Sequence, residues 1–183
     1  MMKLNKTMLL LSIYTLLPAA ALAETPAPST ANGGIVNFSG SVVTTACAVA
    51  ADSANLNVDM GAVGTATLSA AGSEAQTSKA FAIQLTDCDV TTYKGIAVTF
   101  SGTPDPTDTT SLQAGSGSNA AQNVAIRLYD DTGKAIQLGT ATGTTTLTEG
   151  SNTLKFSAKY ASPKGGATAG DASAVATYTL TYS

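Results

Sequence analysis

Three pairs of neighbouring carboxylates are the first candidates for chemistry in this chain: Asp87 with Asp89, Asp105 with Asp108, and Asp130 with Asp131. The sequence has no histidine, so the usual general base near neutral pH is missing. Each pair lies in a segment with turn or loop composition, and none has the ligand spacing of a calcium-binding loop. The pattern predicts surface turns, with no catalytic, cofactor or metal site, and a protein that is not an enzyme.

Residues 1–23 have the pattern of a secretory signal peptide. Two lysines precede an apolar stretch over residues 8–17, and a small-residue site ends at Ala23. The alternative is a membrane anchor, but the apolar run is shorter than the roughly 20 residues that a spanning helix needs. We therefore expect cleavage before Glu24, export of the mature chain, and no insertion into the membrane.

Cys47 and Cys88 are the only two cysteines. Pairing is the default for two thiols in an exported protein, because the compartment is oxidising. A redox or metal role is the competing interpretation, and the absence of a CxxC spacing and of histidine weighs against it. We expect a disulfide.

The charge of the mature chain excludes a further class of partner. Loss of the signal peptide leaves seven basic against twelve acidic residues. These charges are scattered, so the chain offers no basic face to a phosphate backbone. Nucleic acid is not an expected partner.

Apolar residues recur at every second position in several short runs, which is typical of half-buried strands. The predicted strands contain Val36, Phe38, Gly40 and Val42; Leu56, Val58 and Met60; Phe81, Ile83 and Leu85; Ile96, Val98 and Phe100; Val124, Ile126 and Leu128; Leu154, Phe156, Ala158 and Tyr160; and Tyr178, Leu180 and Tyr182. A turn at residues 131–133 should return the chain through residues 135–138. Only residues 68–78 could contain a helical turn. Such a series of strands predicts one all-β domain, a β-sandwich.

Three segments carry a resemblance to a known family. Residues 32–43 read Asn-Gly-Gly-Ile-Val-Asn-Phe-Ser-Gly-Ser-Val-Val and run through Thr-Thr-Ala into the first cysteine. Residues 81–89 surround the second cysteine, and at the C-terminus Tyr182 is penultimate while Gly170 lies fourteenth from the end. Together these features resemble the major subunit of type 1 fimbriae, which belongs to the chaperone–usher pathway of Gram-negative bacteria.

The resemblance implies an incomplete immunoglobulin-like β-sandwich, the pilin fold, that lacks its last strand. Residues 24–43 would be an N-terminal extension that supplies a donor strand to a neighbouring subunit, and residues 44–183 would form the pilin domain. The donor face would consist of Gly34, Val36, Phe38, Gly40 and Val42. The groove and chaperone-facing side of the C-terminal strand would consist of Gly170, Tyr178, Leu180 and Tyr182.

The implied function is that of a structural subunit of a fimbrial rod that supports cell adhesion. Its partners would be other copies of itself in a helical homopolymer, a periplasmic chaperone, the outer-membrane usher and tip or adaptor pilins, and its location the fimbrium, reached through the periplasm. Two alternatives remain: a minor adaptor pilin or a sugar-binding adhesin subunit. On pattern alone, Val36 and Phe38 could also belong to an internal strand of a complete sandwich.

Overall fold

The computed structural model describes residues 33–40, 42 and 44–183. The predicted signal peptide and the first residues of the predicted extension lie outside the described residues. The folded domain is the unit Ser41–Ser183, and residues 33–40 belong to a separate N-terminal unit. In the described part of the chain, no helix is long and apolar enough to cross a membrane.

The domain consists of strands with two short helical turns. Its elements are β1 (Ala48–Val49), α1 (Ala51–Ala54), a 3-10 turn (Thr65–Leu68), β2 (Ser73–Glu74), β3 (Lys79–Cys88), β4 (Gly95–Gly102), β5 (Leu112–Gln113), β6 (Ala125–Asp130), β7 (Thr145–Thr146), β8 (Gly150–Ser162) and β9 (Ala176–Tyr182). The sequence analysis did not predict α1. It allowed a helical turn only within residues 68–78, whereas the 3-10 turn ends at Leu68.

The strands form two antiparallel sheets. The larger has the order β1-β3-β8-β6-β5, with β2 also paired to β8, and the smaller has the order β7-β4-β9. The long central pairs follow the alternation of the sequence: Phe81 lies opposite Phe156 across β3 and β8, and Phe100 lies opposite Tyr178 across β4 and β9. Each predicted strand from Phe81 onward is present in the structure.

The core lies between the inner faces of the two sheets. Ile83 and Leu85 of β3 are fully buried, as are Ile96 and Val98 of β4. Phe100 packs edge-on against Phe156, with ring centroids 5.0 Å apart. Burial of side chains such as these stabilises the domain by roughly 1.5–3 kcal/mol each.

The turn after β6 forms as the sequence predicts, although the returning chain is shorter than a full strand. Gly133 N–H donates to Asp130 O at 3.0 Å, and Ile136 N–H donates to Leu128 O at 2.9 Å. Only an isolated bridge between Tyr129 and Ala135 pairs the return with β6.

Candidate functional site along strand β9

A groove opens the core between two long walls of the domain. Its volume is about 1220 Å³, and its walls are residues 54–65 on one side and 167–178 on the other. The floor consists of core side chains from both sheets, among them Leu68, Phe81, Phe100, Leu112, Ile126, Leu128 and Tyr160. The sandwich is therefore not closed along this side, and apolar side chains line the opening.

Strand β9 lies at the edge of the smaller sheet and pairs only with β4. Ser183 and Gly95 exchange two backbone hydrogen bonds of 2.9 and 2.8 Å. Because bonded and non-bonded pairs alternate in an antiparallel ladder, the backbone N–H and C=O groups of Tyr178, Leu180 and Tyr182 point away from β4. Among the described residues these groups have no backbone partner. The groove is thus bordered by a free strand edge.

The opposite wall also lacks backbone partners. Residues 55–63 have no regular secondary structure and make no backbone-to-backbone hydrogen bond with another described residue. The prediction of a strand at Leu56, Val58 and Met60 is therefore wrong for this structure. Alternation makes a segment suitable for a sheet, but a strand exists only where a second strand lies beside it.

Three side chains of β9 predicted for the site face the interior. Tyr178, Leu180 and Tyr182 are half-buried and pack against the core. Burial raises the pKa of both Tyr178 and Tyr182, because the ionised phenolate is poorly solvated there. Tyr178 lines the groove, whereas Leu180 and Tyr182 lie beyond its end.

Gly170 lies upstream of β9, in the wall segment that packs against the loop at residues 119–121. A Cβ atom at Gly170 would lie 2.5 Å from Ala121 N and 2.7 Å from Asn119 O, both of them backbone atoms. Asp171 N–H donates to Asn119 O at 2.8 Å, and Ala121 N–H donates to Asp171 O at 2.8 Å. Only glycine permits two backbones to approach this closely, so Gly170 holds one wall of the groove in place.

The expected disulfide is confirmed. Cys47 and Cys88 are bonded to each other and are both almost fully buried. The bond joins the chain just before β1 to the end of β3, which is the first long strand of the domain. It therefore anchors the N-terminal edge of the domain to the larger sheet.

Large apolar side chains of the predicted donor segment are exposed. The exposed fraction is 72% for Val36, 92% for Phe38 and 102% for Val42. Gly34 and Gly40 have no atom within 4 Å of a position where a Cβ would lie. Ile35, which the sequence reasoning did not include among the anchors, is 89% exposed. Exposure of several large apolar side chains within one short segment is typical of a surface that binds a partner.

The carboxylate pairs lie at or next to turns, but the sequence prediction is wrong for Asp87, which is part of β3, and Asp130 is the last residue of β6. Asp89, Asp105 and Asp130 each accept a hydrogen bond from the backbone N–H two residues ahead. In the described ranges no three acidic, cysteine or histidine side chains lie close enough to hold a metal ion. The carboxylates thus stabilise loop geometry.

One cluster of charges was not foreseen from the sequence. Arg127 of β6 makes ion pairs with Glu74 of β2 and with Asp108 in the loop before β5. Tyr129 O–H donates to Glu74 at 2.6 Å, and Ser111 O–H donates to Asp108 at 2.6 Å. These residues are far apart in the sequence. The pairing of β2 and β6 with β8, and of β5 with β6, brings them together.

The fimbrial protein family matches residues 36–183 of this chain. The chain is 44% identical over 177 residues to the type 1 fimbrial subunit of Klebsiella pneumoniae, with 94% of each chain covered. It is similarly 44% identical over 177 residues to a type-1 fimbrial protein A chain of Escherichia coli, again with 94% of each covered.

Solved structures agree with this relationship. A chain from a chaperone-usher pilus structure concerned with rod uncoiling matches with a TM-score of 0.71 and 26% identity, over 86% of this chain and 100% of that chain. The rod subunit of the P pilus matches with a TM-score of 0.65 and 26% identity, over 76% and 100% respectively.

The similarity covers both walls of the groove and the strands beneath it. The fold is an incomplete immunoglobulin-like sandwich, as expected from the sequence, and the family is one of structural proteins without enzymatic activity. This chain belongs to the fimbrial protein family and is a structural pilin subunit of the kind that builds chaperone–usher fimbriae.

Proposed function

We propose that residues 32–43 of one copy fill the groove of the next copy as an added strand, and that repetition of this contact builds the fimbrial rod. The observation that carries the proposal is the groove itself. Its floor is apolar, and among the described residues the backbone groups of residues 55–63 on one side and of the free edge of β9 on the other lack backbone hydrogen-bond partners. Backbone groups that become buried when a partner binds need hydrogen-bond partners. A strand inserted between β9 and residues 55–63 would supply them to both walls.

The lengths of donor and groove support this assignment. The walls, residues 54–65 and 167–178, have the same number of residues as the donor segment 32–43. Extended chains rise by about 3.3 Å per residue, so an extended donor of this length would reach at least as far as either wall. Residues 24–31 would then precede the donor strand and would have no role in packing.

Side chains of the donor strand would fix the register in which it pairs with the walls of the groove. Val36, Phe38 and Val42 alternate on one face, and each would contribute roughly 1.5–3 kcal/mol if its side chain were fully buried in the groove. Gly34 and Gly40 would pass where the groove is shallow. A shift by one residue would direct Asn37 and Ser39 into the apolar floor, so a single register is strongly preferred.

The contact is head-to-tail, because the donating and accepting surfaces differ. Such contacts give an open filament whenever the rotation between copies does not close a ring. A long homopolymer at the cell surface is the expected product, with tip or adaptor pilins at its end. The chain would have the role of a rod subunit, and cell adhesion would follow from the fimbria as a whole.

An open groove requires protection before assembly. An exposed edge such as that of β9 invites pairing with other strands. We infer that a periplasmic chaperone occupies the groove after export and cleavage of residues 1–23. The added strand of the next subunit would replace the chaperone at the outer-membrane usher. Tyr178, Leu180 and Tyr182 would lie beside the chaperone strand.

A matched pair of substitutions in the full-length chain tests the proposed donor face. Phe38→Asp should abolish self-assembly, because an unpaired carboxylate would be placed in the apolar groove. Ser39→Asp should leave assembly intact, since position 39 would face away from the floor. The measurement is the ladder of oligomers after folding of the purified chains. Normal ladders from Phe38→Asp, or equal loss with Ser39→Asp, would contradict the proposal.

A further inference from the structure

Two tyrosine hydroxyls bridge the sandwich at the end of the groove nearest the disulfide. Tyr178 O–H donates to Ser53 O at 2.8 Å, and Tyr182 O–H donates to Cys47 O at 3.4 Å. We call these two tyrosines and their two carbonyl acceptors the tyrosine latch. The donors and acceptors are 125 and 135 residues apart in the sequence, so the latch joins the N-terminal and C-terminal segments of the domain.

The segment that accepts these hydrogen bonds is firmly attached to the larger sheet. Ser53 is buried, and its hydroxyl accepts a hydrogen bond from Gln84 N–H at 2.8 Å. Ala50 N–H donates to Gln84 O at 2.9 Å, and the disulfide holds Cys47. The latch therefore connects β9 to an anchored segment and not to a loose loop.

The groove ends at the latch. Its lining includes Tyr178 of β9 and Val49 of segment 47–53, but neither Leu180 nor Tyr182. Yet the backbone groups of Leu180 and Tyr182 point to the same free edge as those of Tyr178, by the alternation of the β4–β9 ladder. Part of the free edge thus lies beyond the closed end of the groove.

We propose that the tyrosine latch determines how far along β9 an added strand can pair. Pairing with Tyr178 is possible in the open part of the groove, whereas pairing with Leu180 and Tyr182 requires segment 47–53 to move away from β9. This inference rests on the proposed strand addition and assigns a further role to the same site. Tyr178 and Tyr182 are positioning residues, which set the extent of pairing through their hydroxyl groups.

The test uses full-length subunits with single hydroxyl groups removed. Tyr178→Phe and Tyr182→Phe should each assemble roughly 2- to 10-fold faster than the unchanged chain, because a hydrogen bond that has to break before pairing is complete is absent. Tyr129→Phe is the matched control, since its hydroxyl donates to Glu74 at 2.6 Å and the residue does not line the groove. The control should assemble at the unchanged rate.

Pulsed amide hydrogen exchange during assembly of the unchanged chain provides a second measurement that needs no variant. The amide of Tyr178 should become protected before those of Leu180 and Tyr182. Simultaneous protection, or equal assembly rates for all chains, would overturn the latch while leaving strand addition intact. An unchanged chain that never assembles would overturn the proposed function and the latch together.

Discussion

At the scale of single residues, the structure gives physical reasons for residue types that the sequence shows without explanation. Gly170 is a clear case. The sequence places it at a family-typical distance from the C-terminus, whereas the structure shows that its missing side chain permits contact with the backbone at residues 119–121. Asp87 is another, because it has a φ of 51° at the irregularity between Leu85 and Cys88. Neither property can be read from one-dimensional alternation.

Gly170→Ala should therefore lower the free energy of unfolding. The added methyl group would meet backbone atoms that cannot rotate away, and overpacking of this kind costs roughly 1–3 kcal/mol. Gly64→Ala is the control, since Gly64 has an extended backbone and open space around it. Urea denaturation of the two variants measures the difference. Equal stability of the two would show that the wall segment shifts without cost.

At the scale of elements, Arg127 joins three parts of the larger sheet. Burial by itself would raise the pKa of Asp108 and of Glu74, but hydrogen bonds outweigh it. Ser111, Thr110 and Arg127 lower the pKa of Asp108, and Tyr129 and Arg127 lower that of Glu74. Burial, together with the hydrogen bond to the same glutamate, raises the pKa of Tyr129 to about 12. The cluster therefore holds β2, β6 and the loop before β5 together as long as both carboxylates are charged.

The pH dependence of stability follows from these directions. A carboxyl group whose pKa is lower in the folded state stabilises the fold above its unfolded pKa, which is 3.8 for Asp108 and 4.5 for Glu74. That contribution is lost as the pH falls through the folded pKa. We expect a free energy of unfolding that decreases below about pH 4.5. Asp108→Asn should reduce this slope, and Asp52→Asn, at an exposed position outside the Arg127 cluster, should not. Chemical denaturation between pH 7 and pH 3 measures both.

At the scale of the whole molecule, the proposed donor segment and the groove consist of different residues of one chain. The exposed apolar side chains lie before Cys47, and the groove is formed by residues 54–65 and 167–178. A subunit whose own segment cannot act as a donor strand should therefore still bind the donor strand of another subunit in its groove. This separation is what makes an open, head-to-tail filament possible.

A synthetic peptide of residues 32–43 should raise the melting temperature of the full-length Phe38→Asp chain, because a ligand that binds only the folded state stabilises it. The same peptide carrying Phe38→Asp should have little effect. Calorimetry at increasing peptide concentration measures the shift. Equal shifts with the two peptides would mean that the groove does not recognise the side chain at position 38.

The sequence by itself determined the class of fold, the disulfide and the strands from Phe81 onward, because period-two alternation and the presence of only two cysteines are visible locally. The resemblance already placed the groove beside the C-terminal strand, but tertiary structure alone decided that residues 55–63 form its opposite wall. Leu56, Val58 and Met60 show the same alternation as Phe81, Ile83 and Leu85, yet only the second run has a neighbouring strand to pair with. Strand pairing joins residues that are distant in sequence, so the edge left without a partner cannot be identified from local pattern. The tyrosine latch and the Arg127 cluster arise in the same way, since both depend on contacts across the sandwich or the sheet.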